Sequence, residues 1–288
     1  MRTEELQLVE CPRDAMQGLH TFIDTDKKAA YINQLLKCGF HTLDFGSFVS
    51  PKAIPQLRDT ADVLSKLDLS STQSKLLAIV ANVRGAEDAV KFDEIAYLGY
   101  PFSISETFQL RNTNATIAES LKRVEEMQSL CVNSKKELAV YISMAFGNPY
   151  GDAWNADVAI HWTKQLSDLG IKVIALADTI GVSNPENIKY LFSNVIPEFP
   201  EVTIGAHLHT TPETWREKVE AAWSSGCRRF DSAVKGLGGC PMATDKLTGN
   251  MPTEKVLQFL NENKIESGID SVQFAESMLM AGNTFPAE

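Results

Sequence analysis

Eight times along the chain a short β-branched or apolar run gives way to a segment with helical periodicity, and no break in composition interrupts the alternation. The strand candidates are Leu6–Glu10, His41–Phe45, Lys75–Ala81, Ile95–Ile104, Leu138–Ser143, Lys172–Ala177, Val202–His207 and Arg229–Ala233. Between them lie apolar stripes with helix-entry residues. Thr25 is placed to cap a stripe of Ala29, Ala30, Ile32, Leu35 and Leu36, and Asn114 or Thr116 opens one through Ile117, Leu121, Val124 and Met127. Ser183 and Asn184 before Pro185, and Thr211 before Pro212, read as further starts. Gly39, Gly170 and Gly226 each follow a helical stretch just before the next strand, where a left-handed cap favours glycine.

A regular run of eight such units predicts an α/β chain folded as a closed (β/α)8 TIM barrel, one domain over 1–288. A C-terminal helical segment at about 269–283 is expected to pack on the barrel or on a partner. An open doubly wound sheet is the alternative, but no Gly-x-Gly-x-x-Gly turn follows the first strand to hold a dinucleotide.

Composition narrows the function classes. A hydrophobic content of 44% supports a substantial core, and a formal charge of −10 argues against nucleic acid and anionic membranes, which select basic faces. The five cysteines are scattered and form no Cys-x-x-Cys, which fits a reducing compartment better than a disulfide framework. The first residues lack the apolar core of a signal peptide, and no apolar run approaches the ~20 residues that cross a bilayer. The chain therefore reads as soluble and cytoplasmic, with a small-molecule substrate; a homodimer is the assembly entertained.

In such barrels chemistry gathers at the C-terminal ends of the strands. Arg13 and Asp14, Asp44, Asn82, Ser105 and Glu106, Ser143, Asp178, and His207 with His209 all fall there. Rim capping and solubility would account for many of them singly. His207 and His209 are two apart at the end of an apolar run, so an extended strand points both imidazoles the same way, as a metal ion requires of paired nitrogen ligands. A surface or hydrogen-bonded pair is the plainer alternative. Asp14 adds an oxygen donor, and the mixed set suits Mg²⁺ or Mn²⁺, with Zn²⁺, Co²⁺ or Fe²⁺ also admissible. Arg13 brings a permanent cation that can stabilise a developing enolate, or else forms a rim salt bridge to Asp44. Gly236, Gly238 and Gly239 give the last loop a backbone able to approach ligand closely, with the Cys240 thiol at its tip. Asn250 offers a neutral oxygen to the metal, or a brace for the loop base.

These stretches resemble the hydroxymethylglutaryl-CoA lyase family, within the metal-dependent TIM-barrel lyases and Claisen-type synthases. The matching elements are Pro12-Arg-Asp, Gly46-Ser-Phe-Val-Ser-Pro-Lys with Pro55-Gln, Asn148-Pro-Tyr, Asp178-Thr-Ile-Gly-Val, His207-x-His, Asp231-Ser, and Gly236-Leu-Gly-Gly-Cys-Pro with Gly249-Asn250. The resemblance implies a divalent cation on Asp14, His207, His209 and Asn250. It implies Arg13 as enolate stabiliser, Cys240 as the proton-transferring thiol, and Asp178 near the reacting hydroxyl. The implied reaction is retro-Claisen cleavage of 3-hydroxy-3-methylglutaryl-CoA to acetyl-CoA and acetoacetate.

Departures from the pattern cluster near the substrate and bear on which acyl-CoA is used. Ala15, Met16, Gly18, Leu19 and His20 replace part of the stretch after Pro-Arg-Asp, Thr210 replaces an aspartate, and Asn148 stands where a cysteine is often found. Asp44 replaces a glutamate one methylene longer, which weakens its expected contact with Arg13. Two competing readings remain at this stage. One is a related aldolase or acyltransferase for another hydroxy- or 2-oxo-acid; the other is a non-catalytic barrel serving as a binding subunit.

Overall fold

The eight expected strands all form, each within two residues of its expected ends. They are β1 (Gln7–Glu10), β2 (Thr42–Ser47), β3 (Lys75–Ile79), β4 (Ile95–Ser103), β5 (Glu137–Ser143), β6 (Val173–Asp178), β7 (Thr203–Leu208) and β8 (Arg229–Ser232). The computed structural model describes residues 5–239 and 248–285. Every strand pairs in parallel with its neighbour, and β8 returns to β1 to close the barrel.

Strand parity sorts the side chains into two layers. Outward residues such as Leu8, Leu43, Val140, Leu176, Ala206 and Phe230 merge with the helices into one large core. Inward residues Leu77, Tyr97, Ala139, Tyr141, Val173 and Ala175 form a separate, smaller cluster inside the barrel. Both faces of these strands are covered, so they read in sequence as near-continuous apolar runs.

The helix boundaries amend several expectations. A short helix, Pro12–Gln17, follows β1 directly, opened by Pro12 in its first turn. Thr25 is the first residue of helix Thr25–Leu36 rather than its cap; Asp24 precedes it, and the Thr25 hydroxyl donates to Asp59 at 2.7 Å. Thr116, not Asn114, caps helix Ile117–Asn133 in a reciprocal box with Glu119, while Asn114 ends the preceding helix in the left-handed region. Asn184 caps the helix that Pro185 opens, as expected. Helix Trp215–Ser224 begins later than Thr211 and is entered through Thr214. Gly39, Gly170 and Gly226 adopt φ of +89°, +86° and +96°; a Cβ at Gly39 would also lie 2.9 Å from the Gly268 carbonyl oxygen.

The C-terminal helix Ser271–Thr284 lies against the barrel's own helix Thr25–Leu36. Phe274 meets Phe40 edge-on at 6.2 Å, Phe285 meets Tyr31 at 5.3 Å, and Ser277 Oγ is 3.2 Å from Cys38 Sγ. No helix among the described residues is long and apolar enough to cross a membrane.

Candidate active site

Asp14, His207 and His209 converge at the C-terminal mouth of the barrel, each presenting one donor atom within 4.8 Å of the others. Asp14 arrives on the short helix after β1. His207 projects inward from β7, and His209 follows two residues later on the same side. Asp14 Oδ2 lies 3.9 Å from His207 Nε2.

Hydrogen bonds behind the rings fix which nitrogen faces the gap. His209 Nδ1 is 3.0 Å from the Thr179 carbonyl, an acceptor only, so that nitrogen carries the proton. His209 Nε2 is left buried with no hydrogen-bond partner among the protein atoms. His207 Nδ1 faces Asp231 Oδ2 at 3.2 Å, which likewise turns Nε2 toward Asp14. A buried lone pair with nothing to accept is costly unless a cation or water meets it, so the donor set fits a metal ion.

The local charges agree. Burial pushes the Asp14 carboxyl up, but Arg13, His207, His209 and a hydrogen bond from Asn250 outweigh it and hold the group below its usual range. Burial, reinforced by His207, drives His209 down to about 4, so its ring stays neutral and keeps a lone pair on Nε2. For His207 burial is overcome by the hydrogen bond and charge of Asp231, then by Asp14, and its value rises.

Asn250 sits beside His209 through an antiparallel bridge, and its amide donates to the Leu237 carbonyl at 2.8 Å. One residue thus touches both the donor cluster and the base of the glycine strap.

Arg13 is clamped. Its Nε lies 3.1 and 3.0 Å from the two Asp44 oxygens, a second nitrogen also reaches Asp44, and Nη1 donates to Asp14 Oδ1 at 2.8 Å and Gln17 Oε1 at 2.9 Å. The rim salt bridge from Arg13 to Asp44, offered as the plainer reading of Arg13, forms, and the shorter Asp44 side chain does not weaken it. Asp44 lies mid-strand in β2 on the inner face, close enough for a two-pronged pair. Gln17 adds a donor to Asp14 Oδ1, which leaves Oδ2 facing the histidines.

Asp178 is a correction. It ends β6 as expected, but on the outer face, where its carboxylate takes Ser183 N at 3.0 Å, the Ser183 hydroxyl and Lys218 Nζ at 2.8 Å. The cavity is lined by its neighbours Ala177 and Thr179 instead. Lys218, which the sequence did not single out, also donates to the His209 carbonyl at 2.9 Å, so the pair braces the backbone of a donor residue.

Gly236, Gly238 and Gly239 adopt φ of +63°, +84° and +132°, but the close approach of Gly238 is to the protein itself: a Cβ there would lie 2.3 Å from the Asp14 carbonyl oxygen. Cys240 lies outside the described residues. Asn82 and Ser105 are helix caps, accepting from Gly85 N at 2.9 Å and Phe108 N at 3.2 Å.

The donors, Arg13 and Gln17 share a cavity of about 220 Å³ with Ser47, Asn112, Tyr141 and Ser143 on its polar side. The HMGL-like family model matches residues 6–279. The chain belongs to the HMGL-like family. It is 33% identical to the rat cytoplasmic 3-hydroxy-3-methylglutaryl-CoA lyase, over 93% of this chain and 77% of that protein. It is also 33% identical to the Pseudomonas aeruginosa 3-hydroxy-3-isohexenylglutaryl-CoA/hydroxy-methylglutaryl-CoA lyase, over 93% and 88%. An HMG-CoA lyase from Acinetobacter baumannii, solved with coenzyme A and 3-methylmalate, superposes with a TM-score of 0.89 at 32% identity, covering 99% of this chain and 93% of that one.

Proposed function

We propose that the chain is a divalent-metal-dependent carbon–carbon lyase that cleaves 3-hydroxy-3-methylglutaryl-CoA to acetyl-CoA and acetoacetate. The observation that carries this reading is the buried, partnerless His209 Nε2 beside Asp14 and His207. In it residues 1–288 act as one catalytic domain. Asp14, His207, His209 and Asn250 hold the ion, and the carboxylate and amide oxygens favour Mg²⁺ or Mn²⁺. When bound, such an ion polarises the substrate's oxygens as a Lewis acid.

The chain's own groups do the rest. A base at the cavity takes the proton of the tertiary hydroxyl, the hydroxyl oxygen becomes the ketone of acetoacetate, and the electrons of the broken C2–C3 bond pass to the enolate of acetyl-CoA. Arg13 is held rigidly by Asp44 and Gln17 at the mouth, so its positive charge faces the developing enolate without reorganising. Cys240 is assigned the return of a proton to that enolate. Asp178, turned away from the cavity, keeps only a positioning part through Lys218 and His209.

An acyl-CoA substrate is supported by a second cavity of about 780 Å³ that shares Ser47 and Val49 with the first. Lys52, Arg58, Arg84 and Lys91 line it against the single acid Asp88, a basic patch on a chain of net charge −10. That charge suits the phosphates of a coenzyme A thioester.

The test is to supply hydroxymethylglutaryl-CoA with Mg²⁺ or Mn²⁺, with and without chelator, and measure acetoacetate. Activity is expected with metal and lost on chelation. Turnover that survives complete chelation rejects the mechanism.

A further inference from the structure

The His207 ring is held from two sides, and a buried cation lies close to both holders. Asp231 faces its Nδ1 at 3.2 Å, and Tyr141 meets the ring edge-on with centroids 5.6 Å apart. The cation is Arg229, two residues before Asp231 on β8, so the period of two turns both side chains into the barrel. Arg229 is 1% exposed, and its Nε lies 3.9 Å from Asp231 Oδ1. The two Asp231 oxygens thus divide, Oδ2 to His207 and Oδ1 to Arg229.

An arginine is out of keeping with the apolar inner cluster of Leu77, Ala139, Val173 and Ala175, yet the fold makes room for it. Gly205, its partner in register on β7, leaves that room: a Cβ there would lie 3.0 Å from Arg229 Cδ. Gly99 on β4 does the same for Tyr141, whose ring would stand 3.2 Å from an added Cβ. Burial works against the Arg229 charge, but Asp231, then Tyr141 and Tyr97, offset it and hold the guanidinium above its usual range. One of its nitrogens donates to Gln7 Oε1 at 3.2 Å, while Nε and Nη2 have no hydrogen-bond partner among the described residues. Buried charge pairs add little stability over an apolar filling, so stability alone is a poor account of this one. Neither Arg229 nor Asp231 lines the active-site cavity.

We propose that Arg229 is a positioning residue: acting through Asp231, it fixes the His207 ring so that Nδ1 keeps the proton and Nε2 faces the ion beside Asp14. This rests on the donor-set reading above and adds to it a cation that touches neither metal nor substrate.

The experiment measures Mg²⁺ binding to the full chain by calorimetry, with nitrogen NMR spectra of its histidines taken without metal at alkaline pH, where the rings are neutral. Arg229→Gln removes the charge and should weaken Mg²⁺ binding about 10–100-fold. Arg229→Lys keeps a buried charge opposite Asp231 but puts a methylene where Nε stands, and a loss of about three- to tenfold is expected. At saturating metal the thioester KM should stay within about twofold of wild type in both. In an Asp231→Asn background either change should add no more than about twofold, because the path through Asp231 is already cut. A purely structural Arg229 would lower the melting temperature and leave metal affinity unchanged; that result, or additive losses in the double variants, overturns the proposal. Should Arg229→Gln fail to fold, Arg229→Lys decides alone. If the wild type takes up no Mg²⁺, the donor-set reading falls and the spectra decide Arg229. His207 should then carry its proton on Nδ1 in the wild type and on either nitrogen in the variants; identical spectra reject the role.

Discussion

The ends of β6 and β7 lie side by side, and both carry ionisable side chains, yet only β7 serves the cavity. Ala177 is in register with His207 and Asp178 with Leu208. At one level the two strands point Ala177 and His207 inward; at the next they point Asp178 and Leu208 outward. A single residue of parity therefore separates a donor to the cavity from an anchor in the helical layer. Position at the rim of a barrel says how high a side chain sits, and parity says what it sees.

The sharpest break of that contrast is removal of the inward donors. Asp14→Asn or His209→Ala should abolish metal uptake by calorimetry and lower kcat roughly a thousandfold, several kcal/mol of transition-state stabilisation. Full metal affinity in both variants would sink the assignment of the donor set. On the outward side, Lys218→Met strips the counter-charge from buried Asp178. It should cost about 3–5 kcal/mol in denaturant melts while the folded fraction keeps turnover within about tenfold. A thousandfold fall in kcat at unchanged stability would instead return Asp178 to the chemistry.

Asp231→Asn tests the layer between these extremes. It removes the charge that orients His207 and should weaken metal binding about 10–100-fold; because Asp231 also faces buried Arg229 at 3.9 Å, the melting temperature should fall too, and unchanged metal affinity would leave Asp231 a bystander. The smallest effect on turnover belongs to Glu10, which faces outward from β1 and takes hydrogen bonds from Val234 N and Thr253 at the foot of the glycine strap. Burial raises its carboxyl from 4.5 to about 8, against the pull of those bonds. The folded chain then keeps a proton that the unfolded chain releases, so stability falls as pH rises from about 4.5 to about 8. Thermal melts across that window should show a shallower fall for Glu10→Gln; parallel curves would remove Glu10 from the balance.

The barrel was legible because its signal is repetitive: eight apolar runs, and three glycines that the structure places in the left-handed region before strands. The convergence of Asp14, His207 and His209 was legible too, since a spacing of two in a strand keeps side chains on one face. What failed had physical causes. Strands buried on both sides show no alternation, so the outward face of Asp178 left no mark in the sequence. A lysine on an amphipathic helix ordinarily faces water, which hid Lys218, 1% exposed. Helix Pro12–Gln17 is too short to show a periodic stripe, so it went unread. The Arg13–Asp44 salt bridge was among the readings, but its strength was underrated because chain length was weighed without the strand position that brings Asp44 to Arg13.

The clearance at Gly238 ties two parts of the molecule into one heritable unit. The strap can pass only while the backbone at Asp14 stays where it is, and that turn keeps its place only under a strap with nothing but hydrogen there. Recombination or design that imports either segment from a distant barrel must import both, or the newcomer will shove an oxygen donor out of register before any substrate arrives.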